Sequence, residues 1–139
     1  MLLPKDLVSN VKIQVEQKFK PHTKKVDMVI IEDVRMFVDQ IVQTHYKNKK
    51  VDVYYDPISF LENVEQYPLD TRMIIDSTYN YDGKEYDING FDIALKLHEK
   101  GYTKLYLFTS DHYNEERLPP YLKYLNKLDR DVVKNLHKL

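Results

Sequence analysis

Four apolar runs in this chain end on residue types that can handle a divalent cation or a phosphoryl group. Met73-Ile74-Ile75 delivers Asp76 and then breaks into Ser77-Thr78. Met28-Val29-Ile30-Ile31 runs straight into Glu32-Asp33, Leu105-Tyr106-Leu107-Phe108 ends on Thr109-Ser110, and Leu122 to Asn126 ends on Lys127. In an open parallel sheet, ligands bind outside the carboxyl ends of the strands, so these groups are expected to meet in one cleft. Clustered carboxylates repel one another, and a hard cation relieves the repulsion. Mg2+ suits such a site, holding few carboxylates together with waters and a phosphate. With Mg2+ and Lys127 beside it, Asp76 can act as a nucleophile toward phosphorus and form an aspartyl phosphate. Phosphoryl transfer asks mostly for positioning and charge neutralisation, which a cation, an ammonium and a hydroxyl supply. Each residue also has a plainer reading. Asp33 fits the N-cap of a helix starting near Val34, and a lone strand-end Asp or Lys is usually just solvated. Their joint placement at four strand ends is what favours a site.

The elements that must position these groups follow from hydrophobic spacing. Leu7, Val11, Val15 and Phe19 recur every fourth residue after Pro4, which predicts an N-terminal helix ended by Pro21. Lys18 to Lys25 reads as a basic linker, so residues 1–25 form a helix and tether and residues 26–139 the main domain. The run from Val26 to Ile31 is branched and too short for a helix, which predicts a buried strand. Met36, Phe37, Ile41 and Val42 then keep helical spacing to about Tyr46. Val51 to Tyr55 alternates, as an edge strand does, and a helix is expected from Pro57 to Gln66. Strand 73–76, a long loop, and a helix from Gly90 to Lys100 closed by Gly101 follow. Next come strand 104–108, a polar piece stopped by Pro119-Pro120, strand 122–126 and a last helix from about Asp129. Strands alternating with helices in this way predict an α/β fold with a parallel sheet covered on both faces.

Composition narrows the function. The chain has 139 residues, enough for one domain with a sizeable core. Its charged residues nearly balance at a net charge of -1, so no global case exists for direct nucleic-acid contact or an anionic membrane surface. The absence of cysteine removes disulfides and thiolate metal sites. No apolar run is long enough for membrane insertion, and the N-terminus lacks the pattern of a secretory signal. A cytoplasmic location is the resulting expectation. Twelve tyrosines with no tryptophan have no functional explanation in the sequence.

From Val26 to Leu139 the chain resembles the receiver domains of two-component response regulators. The resemblance implies a flavodoxin-like, doubly wound five-stranded parallel sheet of order 2-1-3-4-5, preceded here by the N-terminal helix. It implies Mg2+ as cofactor, with Asp33 a direct ligand and Glu32 acting through water. Asp76 matches the phospho-accepting aspartate, and the Thr78 carbonyl matches a backbone metal ligand. Thr109 matches the switch hydroxyl, Lys127 the lysine that contacts the phosphoryl group, and Tyr124 the aromatic switch. Gly90 resembles the glycine that opens the third helix. The chain departs from the pattern in its longer loop from Asp76 to Gly90 and in Pro119-Pro120, which truncates or abolishes the fourth helix. It also has Leu128 where the family has a proline. His98 and His112 have no partner at metal-ligand spacing; His98 reads as solvated, and His112 lies near the cleft mouth.

The function implied is a phosphorelay receiver that takes a phosphoryl group from a kinase phosphohistidine onto Asp76 and so changes its protein contacts. Such a domain phosphorylates and dephosphorylates itself and is not a conventional turnover enzyme. The implied partners are a sensor histidine kinase or phosphotransfer protein and a downstream protein target, with a homodimer a further option. With no DNA-binding domain after Leu139, output through protein contact or a place in a hybrid kinase is expected. The alternative is a pseudo-receiver, never phosphorylated, that serves as a scaffold or dimerisation module. An unrelated Mg2+-dependent hydrolase fits less well, because Ser77 and Thr78 cannot readily supply the extra acid or base it needs.

Overall fold

The computed structural model describes residues 20–139. The helix expected from Pro4 to Phe19 lies outside the described residues. Five strands, β1 (Met28–Ile31), β2 (Val51–Tyr54), β3 (Met73–Ile75), β6 (Leu105–Thr109) and β7 (Leu122–Asn126), form one sheet in the order β2-β1-β3-β6-β7. All four pairings are parallel. Counting only these strands, the order is the 2-1-3-4-5 that the resemblance implies.

The strands alternate their side chains between two cores. Val29, Ile31, Met73, Ile75, Leu105 and Leu107 face helices α2 (Pro57–Asn63) and α3 (Gly90–Glu99), while Met28, Ile30, Ile74, Tyr106 and Phe108 face α1 (Arg35–His45) and α4 (Arg130–Lys134). A sheet covered on both faces needs apolar residues at consecutive positions, which explains why β1, β3 and β6 are buried throughout. β2 is half-buried along its length and lies at one edge, as its alternation suggests.

Helix ends follow local chemistry. Asn89 caps α3 by accepting from the Asp92 N–H, and the Asp92 carboxylate accepts the Asn89 N–H in return. Gly101 ends the same helix in the left-handed region at φ 97°, as a C′ glycine does. Asp56 caps α2 through the Ser59 N–H, with Pro57 in the first turn.

Two details differ from the sequence expectation. The loop after β3 contains a hairpin, β4 (Asn80–Tyr81) against β5 (Lys84–Glu85). Its turn is Asp82-Gly83, both at positive φ, the pair that favours a two-residue hairpin loop. The helix expected from Pro57 to Gln66 tightens into a 3-10 turn after Asn63. Asp33 does not take the plainer role of helix cap: Val34 occupies the N-cap of α1 with no side-chain cap bond, and the Asp33 carboxylate is used elsewhere. Between β6 and β7 the only helical piece is the 3-10 turn Glu115–Arg117, as Pro119-Pro120 requires.

Residues 20–25 touch the body of the domain. The His22 and Lys24 N–H groups donate to the Glu65 and Gln66 carbonyls at 2.8 and 2.9 Å, and Lys24 Nζ pairs with Asp52 at 2.7 Å.

Candidate functional site

Register brings the strand-end residues together. Ile31 lies beside Ile75, and Ile75 beside Leu107, so the chain leaves β1 and β3 at one level with Glu32 next to Asp76. Thr109 at the end of β6 pairs with Asn126 at the end of β7, and the Lys127 N–H donates to the Thr109 carbonyl at 3.0 Å. The convergence expected of Glu32, Asp33, Asp76, Thr109 and Lys127 is therefore present.

Glu32, Asp33 and Asp76 each turn a carboxylate oxygen inward, and these oxygens all lie within 4.8 Å of one another. Lys127 Nζ sits 2.5 Å from Glu32 Oε2 and 3.3 Å from Asp76 Oδ1. The ammonium also lies over the Phe37 and Phe108 rings, 5.1 and 5.6 Å from their centroids, where the ring quadrupoles favour a cation. Glu32 is 1% exposed and Asp76 9%. Burial, and then the charge of Asp76, push the Glu32 carboxyl up to about 8 against the pull of Lys127. Burial raises Asp76 as well, while Lys127, Glu32 and the Ser77 N–H pull it back. One ammonium thus faces two buried carboxyls, with the half-buried Asp33 as a third acid beside them. The donor set suits a hard divalent cation: carboxylates only, close together, and short of positive charge.

Asp33 is held by the hairpin, since the Asn80 N–H donates to Asp33 Oδ2 at 2.9 Å. The hairpin is in turn anchored by Tyr79, fully buried, whose hydroxyl donates to the Ile31 carbonyl at 3.2 Å and whose own carbonyl accepts the Tyr86 N–H at 2.8 Å. Burial drives the Tyr79 phenol well above its ordinary range, so it remains a neutral donor beneath the acids.

The Thr109 side chain meets the acids through Ser77. The Ser77 N–H donates to Asp76 Oδ1 at 2.7 Å, and Ser77 Oγ lies 2.9 Å from Thr109 Oγ1. Thr109 Oγ1 also accepts the Asp111 N–H at 3.1 Å. Tyr124 stands outside this group, half-buried on β7, its hydroxyl donating to the Asp111 carbonyl at 3.0 Å. Thr78 is exposed on the loop beyond Ser77. His112 is exposed with its ring edge-on to Tyr124, and His98 lies exposed on α3, stacked at 4.1 Å on Tyr121. Gly90 opens α3, its N–H donating to the Ser77 carbonyl at 2.9 Å.

Sequence reasoning missed three participants. Ser77 follows Asp76 directly, yet nothing local says that its hydroxyl turns back to β6. Asn80 acts through its backbone, which leaves no trace in residue type. Tyr79 could have been suspected as the first aromatic of the loop.

No protein-family model matches the chain, and no curated protein matches it. Among solved structures it is similar to the response regulator DrrB of Thermotoga maritima, described as an OmpR/PhoB homologue, with a TM-score of 0.59 and 14% identity. The match covers 77% of this chain and 48% of that one, so this chain has the fold of the matched portion, about half of DrrB. No described helix is long and apolar enough to cross a membrane.

Proposed function

We propose that this chain is a Mg2+-dependent phosphoacceptor receiver, with Asp76 the residue that takes the phosphoryl group. The observation that carries the reading is Lys127 Nζ placed between the buried carboxylates of Glu32 and Asp76 at the carboxyl ends of parallel strands. A structural ion pair needs one acid; this ammonium faces two, with Asp33 beside them. Asp33 and Asp76 would hold the cation, Glu32 would act through water, and the exposed loop at Thr78 would add its carbonyl. The cation supplies neutralisation of the carboxylates and of the phosphoryl oxygens.

The chemistry assigned to the chain's own residues is a displacement at phosphorus. A carboxylate oxygen of Asp76 attacks the phosphorus of a phosphohistidine, the new O–P bond forms and the N–P bond breaks. The departing imidazole nitrogen keeps the electron pair and takes a proton from solvent. Lys127 leaves its resting partners to accept contact with the transferred phosphoryl group, and Thr109 donates its hydroxyl to it. Tyr124, resting on the Asp111 carbonyl, then follows Thr109 inward, and the change spreads through residues 111–121, where a 3-10 turn stands in place of a helix. The partners of this reading are a sensor histidine kinase or phosphotransfer protein and a downstream protein target, in the cytoplasm.

Mass spectrometry after incubation with acetyl phosphate and Mg2+ tests it. One phosphoryl group is expected on the wild type and none on Asp76→Asn, which keeps the shape of the site without the nucleophile. Asp33→Ala should lose most Mg2+ binding by titration. A wild-type chain that stays unmodified would support the other reading, a pseudo-receiver that scaffolds or dimerises without phosphorylation. The short polar connection between β6 and β7 is the feature that favours this second reading.

A further inference from the structure

Ser77, Thr109 and Asp111 close a ring of hydrogen bonds beside Asp76. The Asp111 N–H donates to Thr109 Oγ1 at 3.1 Å, Thr109 Oγ1 and Ser77 Oγ are 2.9 Å apart, and the Ser77 hydroxyl donates to Asp111 Oδ2 at 3.4 Å. Either hydroxyl can donate across the Ser77–Thr109 pair; Thr109 is the donor in the arrangement in which Ser77 turns its own proton to the Asp111 carboxylate. Ser77 and Thr109 are each 2% exposed, so water does not compete for either hydroxyl. The same Asp111 residue accepts the Tyr124 hydroxyl on its carbonyl at 3.0 Å. Ser77 is therefore the hinge between the acidic site and the Thr109–Tyr124 pair: its N–H serves Asp76 and its hydroxyl serves Thr109.

We infer that Ser77 is a positioning residue that latches the Thr109 hydroxyl in its resting orientation and so sets how readily the domain switches. The inference rests on the receiver reading and deepens it. Thr109 has a single proton to give. To donate it to an anion on Asp76 it must withdraw it from Ser77, so the resting bond opposes the switched state by what a buried neutral hydrogen bond contributes. Loss of the Ser77 hydroxyl removes that opposition and leaves the Ser77 N–H on Asp76 in place. The resting population then shifts toward the switched arrangement without any change in the acids or in Lys127.

The test uses beryllofluoride with Mg2+ as a phosphoryl mimic, with affinity measured by calorimetry and the Thr109 methyl and Tyr124 ring followed by NMR. Ser77→Ala is expected to bind beryllofluoride roughly fivefold more tightly than the wild type, about 1 kcal/mol. Its Thr109 methyl signal, before beryllofluoride is added, should lie displaced toward the bound position. Ser77→Cys puts a slightly larger group with a weaker hydrogen bond at the same place and should fall between the two; it carries the same test should the alanine variant not fold. Equal affinities and an unmoved Thr109 signal overturn the latch alone. Weaker binding by Ser77→Ala overturns it too, since Ser77 would then be a direct donor to the anion. A wild type that binds no beryllofluoride overturns the receiver reading and the latch with it.

Discussion

A β-carbon on Gly90 would lie 2.1 Å from the carbonyl oxygen of Asp76, with the Asp76 carbonyl carbon and Ser77 Cα each at 3.0 Å. The first turn of α3 thus rests directly on the backbone of the proposed phosphoacceptor. No side chain can rotate away to relieve such a contact, because all three atoms are main chain. Gly90→Ala should therefore move Asp76 itself. Alanine gains about 1 kcal/mol of helix propensity over glycine, but forced overpacking costs about 1–3 kcal/mol, so net destabilisation is expected. Urea unfolding gives the stability, and a Mg2+ titration should show weakened binding. Gly101→Ala, strained by its φ of 97° but remote from the acids, should lower stability with Mg2+ binding intact. Equal Mg2+ affinity in wild type and Gly90→Ala would show that α3 does not support the site.

Stability should fall with rising pH across the range where Glu32 titrates. Its carboxyl moves from an ordinary 4.5 in the unfolded chain to about 8 in the folded one, and Asp76 moves the same way. Between those limits the folded state binds more protons than the unfolded state, so the contribution is full below 4.5 and lost as pH climbs to about 8. Urea midpoints at acid and alkaline ends of this window should differ accordingly, and Glu32→Gln should flatten the slope. Saturating Mg2+ should stabilise the chain more at the alkaline end, since the cation binds the ionised acids. A Mg2+ benefit independent of pH would contradict this.

The hairpin should tune the cation site through a single main-chain contact. The Asn80 N–H holds Asp33 Oδ2 at 2.9 Å, which fixes the carboxylate before any ligand arrives. Asn80→Pro deletes that donor, and Gly83→Ala strains the turn at φ 76°. Both variants should weaken Mg2+ binding a few-fold and leave the thermal midpoint within a few degrees, because β4 and β5 are exposed. Unchanged Mg2+ affinity in Asn80→Pro would mean that Asp33 needs no such support.

Tyr79→Phe should cost only about 1 kcal/mol, despite the burial of its hydroxyl. The Ile31 carbonyl that loses this donor at 3.2 Å keeps another, the Asp76 N–H, also at 3.2 Å. No buried acceptor is orphaned, so the larger penalty for an unsatisfied group does not apply. Chemical denaturation measures the change; a loss of several kcal/mol would mean that the phenol holds more than this carbonyl.

The sequence by itself determined the alternation of parallel strands with helices and the delivery of Glu32, Asp33, Asp76, Thr109 and Lys127 to strand ends, while the strand order was what the family resemblance implied. The alternation and the delivery follow from chain-local rules: apolar runs with period two or 3.6 set the element types, and parallel strands deliver whatever follows them to one edge. Pro119-Pro120 likewise foretold the missing helix before β7, because proline acts on its own backbone. The hairpin was not read from the sequence: Asp82-Gly83 is a turn signal, but strands of two residues leave too little pattern beside it. Only the tertiary structure decided which hydroxyls and amides serve the site. Ser77 pairs with Thr109 across a gap of 32 residues, Asn80 reaches Asp33 across 47, and Gly90 is required by a carbonyl of another element. It also found uses for several of the tyrosines: Tyr46, Tyr67, Tyr79 and Tyr102 are buried with their hydroxyls bonded to Val133, Asp52, Ile31 and Val64. Such contacts are set by distance and direction in space, and a residue's type records neither.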